Sequence, residues 1–339
     1  MSKKNSWEKL SDNEILNLKF SDLNLSIEGS RVEPLVDQLY KELKQRNLNF
    51  RPEVYIAEDW FSFDGVPGIA IPFYAVNERL AKIQKKLLFD AEGYNKKDCM
   101  KLLRHEAGHA IDNAFHLRKS KSRQKLFGLS STPYPDEYSP QAYSRKYVVH
   151  LNLWYAQAHP DEDWAETFAV WLNPLSNWRK KYQKWPAINK LKLVNELMGE
   201  IKNKRPLVKS HERPGSIVKN RRKLKTFYQD KVEDLGLDQP FYIDPLITRL
   251  FSPDPKYKNK KLAAQFIRQE RKLVRDMVAR WTGQYKYTID QILSDVIISC
   301  QERKLRLMTS ERNARLDLVG MLTAHTLNYI SSGHHKIAM

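Results

Sequence analysis

Apolar residues recur every three to four positions over residues 31–45, where Val32, Leu35, Val36, Leu39, Tyr40 and Leu43 share one face. This predicts a helix ending near Asn47. Residues 51–57, 61–63 and 69–74 read as extended segments of a small sheet, with the Asp64-Gly65-Val66-Pro67-Gly68 cluster as a turn. Pro72 assigns its segment to an edge. Helical spacing returns over 77–88 and again over 97–116, where Leu102, Leu103, Ala107, Ala110, Ile111 and Ala114 form an apolar face. A basic stretch at 118–123 leads into a proline- and tyrosine-containing excursion over 130–140. Such a length is either a substrate-shaping loop or a plain surface connection. From Pro160 a further helix is expected, with Asp161, Glu162 and Asp163 at the positive end of its dipole. Trp164, Phe168, Trp171 and Leu172 take its core side, while Glu162 and Glu166 fall on a stripe with Ala165 and Ala169, small enough to admit a neighbouring helix.

Either side of this block the pattern changes. Residues 1–30 form a polar leader, expected to pack late or loosely. Residues 201–225 carry ten Lys and Arg against the single acid Glu212, with Pro206, Pro214 and Gly215 as breakers, and read as a basic linker. Beyond the prolines at 240, 245, 253 and 255, amphipathic helices are expected over 261–281, 288–305 and 310–331, the second opening with a Thr288-x-x-Gln291 capping box. The division is therefore a leader (1–30), a first domain (31–200), the linker (201–225) and a helical C-terminal domain (226–339). The fold class is α+β and mostly helical.

Composition narrows the partners. A chain of 339 residues suggests two domains, and its net charge of +18 favours acidic partners, whether peptide, nucleic acid or anionic surface. Cys99 and Cys300 are too few for a disulfide framework and fit a reducing compartment. The first residues lack the apolar core of a signal peptide, and no run has the length of a membrane span. A cytoplasmic protein without a membrane partner is expected.

The chemistry concentrates in His105-Glu106-Ala107-Gly108-His109. On a helix, positions four apart lie one turn apart on one face, so both imidazoles can aim at one point. That point suits one Zn²⁺ per chain, which takes three protein ligands in a catalytic site, and Glu106 falls where a carboxylate could take a proton from water. The third ligand is assigned to Glu162, because two glutamates beside alanines are odd for a solvated face. Glu166, one turn on, is assigned as the acceptor for the outer N–H of a histidine ligand. Asp161 and Asp163 read as helix-capping acids, and Asp112 as polar surface.

These residues carry a resemblance. His105-Glu106-x-x-His109, followed 53 residues later by Glu162-Asp163-Trp164-Ala165-Glu166-Thr167-Phe168-Ala169, resembles the gluzincin metallopeptidases. It is most similar to a bacterial family of zinc-binding metallopeptidases whose second motif is E-D-[FW]-A-E-T-[FW]-A. The order of glutamate ligand and second acid is similar to that of thermolysin. Lethal-factor-type proteases carry a tyrosine seven residues before the ligand glutamate, which here is Tyr155. The resemblance spans about residues 100–180 and implies a zincin-like domain with a small N-terminal sheet and an active-site helix. It implies peptide-bond hydrolysis, with Glu106 as base for a zinc-activated water and Tyr155 as first choice to stabilise the oxyanion. His159 is the second choice, and Tyr134, Tyr138, Tyr143 and Tyr147 could reach the same place. The expected partner is a peptide or protein substrate, with acidic ones favoured by charge. The rival readings are an inactive zincin-like interaction protein and a basic nucleic-acid-binding protein with a structural metal. Against the latter, no helix-turn-helix, zinc-finger, RRM or KH signature is present. His325, His334 and His335 read as part of a frayed tail.

Overall fold

The first amphipathic pattern is realised as helix α1 (Glu33–Gln45), which buries Leu35, Val36, Leu39 and Leu43. The computed structural model describes residues 6–135, 138, 140–141, 144–235 and 244–329. They fall into two compact units, one comprising residues up to 87 with 91–227, the other 88–90 with residues from 228 onward.

In the first unit, strands β1 (Glu53–Ala57) and β2 (Gly68–Pro72) pair in parallel, in register from Glu53 opposite Gly68 to Ala57 opposite Pro72. A connection of ten residues is shorter than a helical crossover requires. It folds back instead, so that the predicted 61–63 strand reduces to a single antiparallel bridge from Phe61 to Ala70. Helix α2 (Glu78–Leu88) follows, and then α3 (Lys96–Phe115), started by the Asn95 side chain accepting from the Asp98 N–H and ended by left-handed His116. Helices α4 (Lys121–Phe127), α5 (Pro160–Leu172) and α6 (Ile188–Glu200) complete the main elements of this unit. The domain is thus mostly helical with a small N-terminal sheet, the zincin-like architecture expected of it.

Helix α3 is enclosed almost all round, which explains its weakly amphipathic pattern. Its one interior arginine, Arg104, makes paired hydrogen bonds of 2.7 Å each to buried Glu42 of α1, a charge pair that satisfies both groups away from water. Against α5 the approach is closest at Gly108, where a Cβ would lie 2.8 Å from the Ala165 Cα. The Trp164 indole N–H donates to the Gly108 carbonyl at 2.9 Å, closing the same contact. Gly108→Ala gains about 1 kcal/mol of helix propensity, but the overlap is with backbone, where overpacking costs about 1–3 kcal/mol. We expect net destabilisation, read as a lowered midpoint in urea unfolding; an unchanged or raised midpoint would show that the helices can part freely.

Over residues 6–23 the leader is not loosely packed. Trp7, Ile15, Phe20 and Leu23 are buried, and the Phe20 ring meets Phe73 and Phe227 edge-on at 4.9 and 5.6 Å. A Ser11/Glu14 capping box fixes the short helix Asp12–Leu16 among these buried residues. Within 201–225, Ile217 and Leu224 are buried, while Arg213 pairs with Glu53 and Arg222 with Glu58.

The second unit contains strands β3 (Phe251–Ser252) and β4 (Arg306–Leu307), which pair antiparallel, and helices α7 (Ala263–Thr282), α8 (Lys286–Glu302) and α9 (Glu311–Tyr329). Their core includes Phe266, Ile267, Val274, Ile292, Leu293, Val296 and Leu318. Asp290 on α8 is ion-paired with Arg271 and Arg275 on α7. The expected Thr288 capping box does not form, because α8 starts earlier. Thr288 sits inside the helix and donates to the Leu235 carbonyl at 2.8 Å. His334 and His335 lie outside the described residues, as does Tyr143. Among the described residues, no helix is long and apolar enough to cross a membrane.

Candidate metal centre

Helices α3 and α5 bring His105, His109 and Glu162 together. His105 Nε2 lies 3.0 Å from Glu162 Oε2, His109 Nε2 lies 3.3 Å from the same oxygen, and the two imidazole nitrogens are 3.2 Å apart. Side-chain exposure is 4% for His105, 7% for Glu162 and 13% for His109, so the triangle is open chiefly on the His109 side. A tetrahedral ion with bonds of about 2.0 Å spaces its ligands about 3.3 Å apart, so these three atoms fit one metal ion.

The donor set fits as well. His105 Nδ1 donates to Glu166 Oε1 at 3.0 Å, which leaves its Nε2 lone pair facing the centre. The other Glu166 oxygen accepts from the Leu151 N–H at 2.8 Å, so one carboxylate holds both the imidazole and the segment ahead of α5. Burial disfavours a charged imidazole at His105, yet the Glu162 and Glu166 carboxylates outweigh it and raise its pKa well above the ordinary value. Burial likewise opposes ionised Glu162, but the two histidines hold its pKa well below the carboxylate range. The centre is therefore built to hold positive charge.

Glu106 is buried in the turn between the two histidines. Burial pushes its pKa up against the pull of His105 and His109. Its Oε2 accepts no hydrogen bond from any described residue, which leaves it free for a donor arriving from outside the protein. The Ser62 hydroxyl lies 2.8 Å from the Gly68 carbonyl and 3.1 Å from that of Glu106, linking the sheet to this turn of α3.

Of the tyrosines, Tyr155 lies beside the centre, its ring 5.7 Å from that of His105. It is carried by a 3₁₀ segment, Asn152–Gln157, in which Leu153 and Trp154 both take left-handed backbone angles (φ 59° and 54°). Burial, then the nearby Glu162 and Glu106 carboxylates, push its phenol pKa up, so it stays protonated and able to donate. Tyr134 reaches Glu162 itself, donating to its Oε1 at 2.9 Å. Tyr138 donates instead to the Leu153 carbonyl at 3.2 Å, and Tyr147 packs under Lys190. His159 has neither nitrogen free for an oxyanion. Its Nδ1 accepts from the Asp161 N–H as the α5 N-cap, and its Nε2 lies 2.8 Å from the Thr132 carbonyl.

Three acids read as surface or capping groups belong to the interior. Asp112 is fully buried; it accepts from the Arg118 N–H at 2.6 Å and from Arg118 Nε and Arg123 Nη2 at 3.0 and 3.1 Å. Arg123, also fully buried, reaches Asp161 Oδ1 at 2.8 Å, and the Ser130 hydroxyl joins the same oxygen at 2.6 Å. Burial raises the Asp161 pKa, but Ser130 and Arg123 together outweigh it and hold the carboxyl below its usual range. Asp163 is buried against Lys190; burial, despite that ammonium, pushes its carboxyl up to about 7. The hint in sequence was the basic stretch close behind Asp112, which supplies both Arg118 and Arg123.

A mostly helical, zincin-like domain with a His/His/Glu cluster held by two adjoining helices defines a class of candidate metal-binding proteins. Residues 95–197, from the cap of α3 into α6, match the model of a family described as "Putative zinc-binding metallo-peptidase". No curated protein and no solved structure matches the chain.

Proposed function

We propose that this protein is a zinc-dependent metallopeptidase that hydrolyses peptide bonds in a peptide or protein substrate. The observation that carries the reading is the convergence of His105, His109 and Glu162 beside a buried Glu106 with an uncommitted oxygen. The family match over the same residues supports it. When bound, zinc would supply Lewis acidity, polarising the scissile carbonyl and acidifying water. His105, His109 and Glu162 would hold the ion, and Glu166 fixes the His105 ring through its Nδ1–H. Glu106 takes the proton from the attacking water and returns it to the leaving nitrogen, a transfer that its raised pKa favours. The Tyr155 phenol donates to the carbonyl oxygen as negative charge builds there. Arg118 and Arg123 are both committed to buried carboxylates, so the net positive charge acts on encounter with acidic partners rather than at these side chains.

Metal analysis of the purified chain tests this. We expect one zinc per chain, its loss in Glu162→Ala, and its retention in Asp163→Asn. Hydrolysis of a broad peptide library should stop with a chelator and return with added zinc. A chain that binds no zinc, or that binds zinc and cleaves nothing in the library, would overturn the proposal.

A further inference from the structure

The two oxygens of Glu162 are treated differently. Oε2 faces the imidazoles at 3.0 and 3.3 Å. Oε1 accepts from the Tyr134 phenol at 2.9 Å. Tyr134 itself is tied to α5 twice over. Its ring stacks on that of His159, with centroids 3.6 Å apart and planes at 15°, and His159 caps α5 while holding the Thr132 carbonyl of the loop that bears the tyrosine. Ser130, two residues earlier in that loop, is bound to Asp161, the neighbour of Glu162. The loop, the helix cap and the ligand therefore form one hydrogen-bonded and stacked assembly.

We propose that Tyr134 is a positioning residue that holds Glu162 as a one-oxygen metal ligand. A carboxylate free at both oxygens can supply either or both to an ion, and the two modes fill different numbers of coordination positions. With Oε1 turned to the phenol, Oε2 is the oxygen presented to the ion, and a one-oxygen Glu162 keeps a further position open for water or substrate. Tyr134 remains 49% exposed. The inference rests on the metal-centre reading above but not on peptidase activity.

Tyr134→Phe tests it, because the ring and its stacking survive while the hydroxyl is lost, and a half-exposed position tolerates the change. Two probes are used, Zn²⁺ alone in competition with a chromophoric chelator and Co²⁺ alone by visible absorption. We expect the variant to bind Zn²⁺ about tenfold more weakly. Its Co²⁺ form should lose part of the intense absorption of a four-coordinate ion as Oε1 joins the ligands. A merely structural role would not move that spectrum. An unchanged Co²⁺ spectrum, whatever the affinity, overturns the proposal and leaves the zinc centre standing. A wild-type chain that binds neither ion overturns the zinc centre itself, and this inference with it.

Discussion

Glu106→Gln is expected to keep one zinc per chain and to lose about 10²–10⁴-fold in turnover. The expectation follows from position. Glu106 lies next to His105 in sequence and is surrounded by protein, yet its Oε2 is engaged by no described residue. The ligand triangle is complete without it. Glutamine has the same shape, so packing around this turn of α3 is preserved, but an amide cannot accept and return a proton. Metal content by elemental analysis and kcat/KM on any peptide that the wild type cleaves separate the two effects. Turnover close to wild type would exclude Glu106 as the base, and loss of zinc would move it among the groups that hold the metal.

Arg123→Ala is expected to cost about 3–5 kcal/mol of folding stability. The arginine is fully buried between Asp112 and Asp161, themselves buried, and its removal leaves two carboxylates with fewer partners in a medium that does not solvate them. Asp112 keeps Arg118 and Asp161 keeps Ser130, so the loss is large without being total. Arg123→Met fills the volume and still deletes the charge. It should recover only the packing part, and chemical denaturation of both variants gives the split. Equal, small losses in the two would mean that water reaches these acids when the arginine is gone. Because Ser130 sits in the same network, the Arg123 variants should also weaken zinc binding through the loop that carries Tyr134.

The metal-binding cluster was legible because helical geometry turns spacing into direction. Two histidines four apart must share a face, and a glutamate stripe flanked by Ala165 and Ala169 must lie where a helix can approach, an approach that Gly108 makes closest. The small sheet and the long C-terminal helices were legible for the same reason of period. Asp112 was not, since its partner Arg123 is brought to it only when the chain turns back after left-handed His116. Nor did the sequence single out Tyr134 as the partner of Glu162, because it is aimed by a ring stack on His159, a contact with no sequence period. The packing of residues 6–24 was hidden by averaging, as a mostly polar stretch with scattered apolar residues reads as surface although Trp7, Ile15, Phe20 and Leu23 are in the core. The start of α8 escaped because a threonine followed three residues on by glutamine looks the same at a cap and one turn inside a helix.

Leu153 and Trp154 hold consecutive left-handed conformations, each about 1–2 kcal/mol uphill for a residue with a side chain. Two such neighbours persist only because the surrounding fold over-determines them, and one of the clamps is the Glu166 carboxylate on the Leu151 amide. The bearing of Tyr155 is thus a property of the assembled domain, absent from the helices that carry the histidines and the glutamates. Grafting those two helices onto a foreign scaffold would transplant the ion's donors and leave the phenol behind.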